Sequence, residues 1–281
     1  MSVLLNVCKW YNLNSQFRIL EQVPMPERVN YNQISKVYNS RYEQNPLTGV
    51  QTYLTNYVIS NSPKDILEVG CGTCHWLSIL ADNDSKLFGA DLSIGMLRKA
   101  RTSSQKLRLI NSDADRLPLK ENSFDFIYVV NAIHHFPKPL NFIKQVRNLL
   151  KYKGSLCIIG IEISESINDW YIYQYFKRAI EIDLKRFPSF KDLSNEMRNN
   201  SFTNISRTLA EQVNAVRNGN DILHDHFLNK QGASQLALLS DEEYLAGINQ
   251  IERDIKAAHN EKREITFQTK LNFYSLVGTK E

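Results

Sequence analysis

Three groups of residues in this chain have types and spacings suited to chemistry. The first is the turn Gly70-Cys71-Gly72, which follows the apolar run Ile66-Leu67-Glu68-Val69 directly. A buried parallel strand that runs into glycines is a nucleotide cradle. Glycine tolerates positive φ and close backbone approach, and the amides opening the next helix attract negative groups. A second strand-like run, Lys86-Leu87-Phe88-Gly89-Ala90, ends at Asp91, 21 residues after Gly70. This is close to the ~20-residue interval at which a carboxylate accepts hydrogen bonds from a ribose diol. The second group overlaps the first: Cys71-x-x-Cys74-His75 has the spacing of covalent haem attachment, and its cysteines that of a redox pair. The opening residues show no basic segment followed by an adequate apolar stretch, so an export signal is not expected. The Asp91 interval favours the cofactor turn over both thiol readings. The third group is His134-His135, whose imidazoles suit proton transfer near neutral pH.

These groups need elements to hold them. From Lys64 to Glu162 strand-like and helix-like runs alternate, the pattern of a doubly wound parallel sheet. Strands are predicted at 65–69, 86–90, 107–110, 124–130 and 155–161. Helices are predicted at 76–81, 94–101 and 140–150, the last because Phe142, Ile143, Val146, Leu149 and Leu150 recur at helical spacing. Lys151-Tyr152-Lys153-Gly154 is expected to close that helix, with basic residues against the dipole and glycine as the left-handed cap. Beyond Glu162 the chain turns aromatic, with Trp170, Tyr171, Tyr173, Tyr175 and Phe176 inside seven positions. Residues 201–206 read as a returning strand, 211–262 as a second helical stretch and 265–279 as the final strand.

Length and composition bound the rest. A chain of 281 residues buries one good-sized core, or one domain with a substantial insertion. A net charge of +4 with no dense Lys/Arg block calls for no nucleic-acid or membrane partner. No apolar run approaches the ~20 residues of a membrane span. The four cysteines, Cys8, Cys71, Cys74 and Cys157, do not form a disulfide framework, and a cytoplasmic protein is expected. Oligomeric state cannot be read.

Together the motifs resemble class I S-adenosylmethionine-dependent methyltransferases of the small-molecule and natural-product type. The resemblance rests on E-V-G-C-G-T at 68–73, A-D-L-S at 90–93 with Met96 following, S-D-A-D-R-L-P-L at 112–119, and S-F-D-F-I-Y-V-V-N-A-I-H-H-F at 123–136. It implies a Rossmann-like, doubly wound, seven-stranded α/β sheet whose last strand is antiparallel, with N-terminal lid helices and a helical cap insertion. The domains would be a lid at 1–62, a cofactor core at 63–162 completed by strands near 201–209 and 264–281, and a cap formed by 163–200 and 210–263.

The same resemblance implies S-adenosylmethionine as cofactor. Glu68, Gly70 and Gly72 would surround its methionine part, with Cys71 on the same turn. Asp91 would take both ribose hydroxyls, and Leu92 and Met96 would pack on the adenine. Asp113 would accept from the adenine amino group, the Ala114 N–H would reach a ring nitrogen, and Asn131 would lie under the sulfonium. The segment 31–42 is similar to a Tyr-rich lid, placing Tyr31 and Tyr38 on one helical face, with Arg41 against the cofactor carboxylate. The family commonly has a third glycine where this chain has Cys74. Positive φ there would strain a cysteine, so a helical φ is expected.

The expected activity is methyl transfer to oxygen or nitrogen of a small aromatic or hydrophobic metabolite, with His135, or failing it His134, as general base. Two alternatives remain: carbon methylation of a quinone-like ring, and a catalytically inactive, cofactor-binding partner subunit. His134 and His135 also suit a turn-capping role. The aromatics at 170–176 suit either a substrate cage or the cap's own core. His224 and His226 lack a third metal ligand, so no metal is expected. Ser240 followed by Glu243 predicts a helix start.

Overall fold

The computed structural model describes Tyr42 and residues 45–81, 84–103 and 106–281. Tyr31, Tyr38, Arg41 and Cys8 lie outside the described residues. The order of elements is α1 (Thr48–Asn61), β1 (Asp65–Val69), α2 (His75–Ile79), β2 (Lys86–Asp91), α3 (Ile94–Ser103), β3 (Arg108–Asn111), β4 (Phe124–Val130), α4 (Pro139–Leu149) and β5 (Leu150–Ile161). Then come α5 (Ile163–Ser166), α6 (Tyr171–Tyr175), α7 (Lys177–Arg186), α8 (Phe190–Asn199), β6 (Phe202–Asn218), α9 (Ser234–Ala237), α10 (Asp241–Asn260) and β7 (Thr266–Lys280).

The seven strands form one sheet in the order β3-β2-β1-β4-β5-β7-β6, with β7 antiparallel to both of its neighbours. Period-2 alternation explains how a parallel sheet buries both faces. In β4, Phe126, Tyr128 and Val130 join one buried cluster with α1 and α2, while Ile127 and Val129 join the opposite cluster with α4 and α8. Asp125 ties the leading ends of three strands. Its carboxylate accepts from the Lys64 N–H at 3.0 Å, the Asp65 N–H at 2.8 Å and the Lys151 ammonium at 3.1 Å.

Two local expectations change. Helix α4 stops at Leu149 and Leu150 already begins β5, so Gly154 is not a left-handed helix cap. Lys153 carries the positive φ of 64° instead. Gly154 is close-packed: a Cβ there would meet the Lys151 and Phe124 carbonyl oxygens at 2.9 and 3.0 Å. The returning strand also runs past the expected cap boundary to Asn218, because β7 pairs with it from Phe202↔Lys280 to Asn218↔Thr266 through two register shifts. The cap's largest helix, α10, starts on a capping box in which Ser240 and Glu243 satisfy each other's backbone N–H groups. Among the described residues no helix is long and apolar enough to cross a membrane.

Candidate active site

The turn after β1 is a run of left-handed residues: Gly70 at φ 71°, Gly72 at φ 53° and Cys74 at φ 60°. Gly70 is required by both conformation and space, since a Cβ there would lie 2.5 Å from the Ala132 Cβ. Its N–H and that of Cys71 converge on the Ala90 carbonyl, at 2.8 and 3.1 Å. The Gly72 N–H donates to Asp91 at 2.7 Å, and the Ser93 N–H holds the other Asp91 oxygen at 2.7 Å. The carboxylate is thus fixed by two backbone donors at the carboxyl end of β2, and each oxygen keeps lone pairs for a further donor. Burial raises the Asp91 pKa, and the Ser93 and Gly72 N–H groups oppose that rise.

Cys74 departs from expectation, with φ 60° and ψ 33° instead of a helical conformation. Its thiol and that of Cys71 occupy the space above β2 where Gly89 lacks a side chain. A Cβ on Gly89 would meet the two sulfurs at 3.1 and 2.9 Å. Both cysteines are buried, and burial pushes the Cys71 thiol well above its ordinary pKa. A thiolate is the reactive form, so burial disfavours redox chemistry at this thiol. Glu68 is buried beside them. It accepts from the Tyr128 hydroxyl at 3.2 Å, and burial raises its pKa well above the usual carboxylate range.

Beyond β4 the chain bends sharply. Asn131 takes φ 50° and donates its N–H to the Ile159 carbonyl at 2.9 Å, and a 3-10 turn follows at Ile133–His135. Asparagine is among the residues that adopt this conformation most readily. The bend carries Asn131, His134 and His135 to the wall of a cavity of ≈ 740 Å³, roofed by the cap and by the outer parts of β6 and β7. The His134 ring stacks on Phe187 at 3.8 Å and touches the His135 ring at 4.0 Å. Tyr42, the last residue of the predicted lid segment, also lines this cavity and stacks on His75 at 3.7 Å. Of the five clustered aromatics, Trp170 lines the cavity, whereas Tyr171, Tyr173 and Phe176 are buried in the cap core.

Residues 67–158 match the family described as a methyltransferase domain. The chain is 30% identical over 135 residues to a demethylmenaquinone methyltransferase from Staphylococcus epidermidis, covering 45% of this chain and 55% of that protein. A demethylmenaquinone methyltransferase from Bacillus mycoides is 28% identical over 141 residues, covering 46% and 58%. The chain thus spans little more than half the length of these curated relatives. Among solved structures, a SAM-dependent methyltransferase from Thermotoga maritima superposes with a TM-score of 0.55 at 18% identity, covering 89% of this chain and 98% of that one. The YcgJ protein from Bacillus subtilis gives 0.56 at 16%, covering 81% and 97%. Likeness at such identity speaks for the fold. Residues 67–158 thus match a methyltransferase domain, and the sheet has the fold of solved methyltransferases.

The geometry of the matched segment is compatible with an adenosine-bearing cofactor. The cradle at Gly70 would be filled by any side chain, Asp91 is preset as an acceptor, and Leu92 beside it is 56% exposed, an apolar surface for a flat ring. Met96 is buried beneath, and Ala114 is buried next to a half-exposed Asp113 whose carboxylate accepts from the Asp115 N–H at 3.1 Å. The sequence reading missed a polar group in the cap. Asp183, 1% exposed, accepts from the Tyr173 hydroxyl at 2.8 Å and from Arg186, and Arg186 also donates to Ser234 at 3.0 Å. Its only sequence signal was an i, i+3 acid–base pair, which looks like an ordinary solvated helix face.

Proposed function

We propose that this protein is an S-adenosylmethionine-dependent methyltransferase that methylates oxygen or nitrogen of a small, ring-bearing metabolite held under the cap. One observation carries the reading: the segment beyond β4 links the glycine turn to the cavity, although no residue of the turn lines the cavity itself. Gly70 is in contact with Ala132, and the flanking residues Asn131, His134 and His135 line the cavity. When bound, the cofactor supplies a methyl group activated by its sulfonium. The acceptor lone pair would take that methyl group in line, and the sulfur would keep the electron pair of the broken bond as a neutral thioether. Such an in-line displacement depends on alignment, which the fixed wall provides, and on removal of the acceptor proton. We assign that proton to His135, with His134 held against Phe187 as its neighbour. Asp91 would hold the ribose hydroxyls, and the buried Glu68 would support the turn through Tyr128.

The names of the curated relatives support a second reading, methylation of a quinone-like ring carbon. Both readings are tested together by calorimetry with S-adenosylmethionine, S-adenosylhomocysteine and NAD, followed by transfer of labelled methyl into panels of phenols, amines and hydroquinones. Binding of the two sulfur compounds but not NAD, with label on a heteroatom, is expected. Label on ring carbon would replace the first reading with the second, and binding without transfer to any panel would mark an inactive cofactor-binding subunit. Tight NAD binding with no response to the sulfur compounds would overturn the assignment.

A further inference from the structure

Helix α4 reaches the cofactor side of the sheet through one side chain. Gln145 is half-buried, and its amide spends both ends on the loop between β3 and β4. The Oε1 accepts from the Leu117 N–H at 2.7 Å, and the Nε2 donates to the Ala114 carbonyl at 2.5 Å, across 28 and 31 residues of chain. One amide thus bridges a carbonyl and an N–H three residues apart.

The loop's other polar contacts are close in sequence or lie at its entry. Residues 112–123 form neither helix nor strand. The Arg116 N–H donates to the Asp113 carbonyl at 3.1 Å, the Asp115 N–H to the Asp113 carboxylate at 3.1 Å and the Ser112 hydroxyl to the Arg116 carbonyl at 2.8 Å. These bonds shape the turn without aiming it. Its entry is anchored where the Ser112 N–H donates to the Asp91 carbonyl at 3.0 Å. Ala114 and Leu117 also join the buried cluster into which α4 packs, but apolar contact is non-directional and leaves orientation to the hydrogen bonds.

α4 is a fixed reference for that orientation. Phe142, Ile143 and Val146 on it are fully buried, and Phe142 meets Phe136 edge-on at 4.9 Å. Phe136 in turn stands against the glycine turn, since a Cβ on Gly70 would lie 3.4 Å from its ring. One helix therefore backs both the glycine turn and the loop that carries Asp113.

Resting on the methyltransferase reading, in which Asp113 meets the adenine amino group, we propose that Gln145 is a positioning residue for recognition of the base. It holds the 113–117 turn at the angle from which Asp113 distinguishes an amino group from a carbonyl oxygen on the ring. Its loss would leave the Leu117 N–H and the Ala114 carbonyl without this partner, and the loop would turn to satisfy them.

The test uses the full chain, with dissociation constants measured by calorimetry for S-adenosylhomocysteine and S-inosylhomocysteine. The second carries a carbonyl where the first carries the amino group. Wild type should favour the adenosyl compound by about tenfold or more. Gln145→Met, close in size but without either bond, should weaken S-adenosylhomocysteine by about tenfold and narrow the preference to within about threefold. Gln145→Glu keeps the acceptor and loses the donor, so it should narrow the preference too, and it decides the matter alone if the methionine variant does not fold. A preference that survives in either folded variant overturns the proposal. So does an equal loss of affinity for both compounds, which would make Gln145 merely structural, and so does equal binding of the two by wild type. If wild type binds neither compound, the methyltransferase reading falls as well; if it binds S-adenosylhomocysteine and the expected changes are absent, this inference alone falls.

Discussion

The two ends of the sheet treat their polar groups in opposite ways. On the β1–β2 side every fixed group of the glycine turn is already engaged: Asp91 with Gly72 and Ser93, Glu68 with Tyr128, and Gly70 and Cys71 with Ala90. On the β7–β6 side, under the cap, Trp170, Gln235 and Arg186 each keep a buried donor without a partner. The first side suits a ligand of invariant shape, because its carboxylate is positioned before anything arrives and no reorganisation is needed on binding. On the second side the unpaired buried donors are a cost the fold carries, each of the order of a lost hydrogen bond. Between them stands the Asn131–His135 segment, which belongs to both.

That segment should give the largest effect. His135→Ala is expected to lower turnover by roughly 10²–10⁴-fold and to remove the acidic limb of the pH–rate profile, while cofactor affinity stays near wild type. Turnover against pH for His135→Ala and His134→Ala decides the matter. Losses under about fivefold in both would make catalysis here a matter of positioning alone.

The preset side is probed next. Asp91→Ala should weaken S-adenosylhomocysteine binding by roughly 2–4 kcal/mol, the scale of two charge-assisted hydrogen bonds partly replaced by water. Calorimetry reads this directly. An unchanged dissociation constant would mean that the carboxylate serves only Gly72 and Ser93, and the contrast between the two sides would disappear.

The strand ends that carry the preset side should respond to acid. Burial favours a higher Asp125 pKa, but the Asp65 N–H, the Lys151 ammonium and the Lys64 N–H outweigh it and hold the carboxyl below its ordinary value. A lowered folded-state pKa contributes stability that is fully present above the unfolded pKa and is lost as pH falls through the folded one. Asp125→Asn should therefore cost about 1–2 kcal/mol at neutral pH, with the deficit shrinking once the pH falls below about 4. Denaturant titrations of both proteins from neutral to acid pH check it, and parallel curves would show that Asp125 is not the group involved.

The smallest effect concerns the turn's third left-handed residue. Truncation normally costs more as more atoms are removed, yet Cys74→Gly should be more stable than Cys74→Ala by about 0.5–1 kcal/mol. Only glycine escapes the penalty of positive φ, and its added unfolded-state entropy offsets part of that gain. Chemical denaturation of the two variants gives the sign. The reverse order would mean that filling the space above Gly89 outweighs backbone strain.

Much of the cofactor side was legible because its signals are local. An apolar run, two glycines and an aspartate 21 residues on are consequences of one strand–turn–helix unit and its neighbour, and the alternation through β5 follows from burying both sheet faces. What local pattern could not give was set by partners distant in sequence. Cys74 takes a glycine-like conformation because the turn around Asp91 demands it and because Gly89 opens room for its sulfur, two conditions supplied by a different strand. β6 extends to Asn218 because β7, more than forty residues later, pairs with it along its whole length, overriding a sequence that reads as the start of a helical stretch. The Asp183–Arg186 pair has the spacing of a surface pair, and it is buried where α9 packs against α7 and Ser234 meets Arg186. The sequence by itself determined the cradle, since one chain segment builds it. The tertiary structure alone decided the cavity under the cap, since its walls come from segments that only packing brings together.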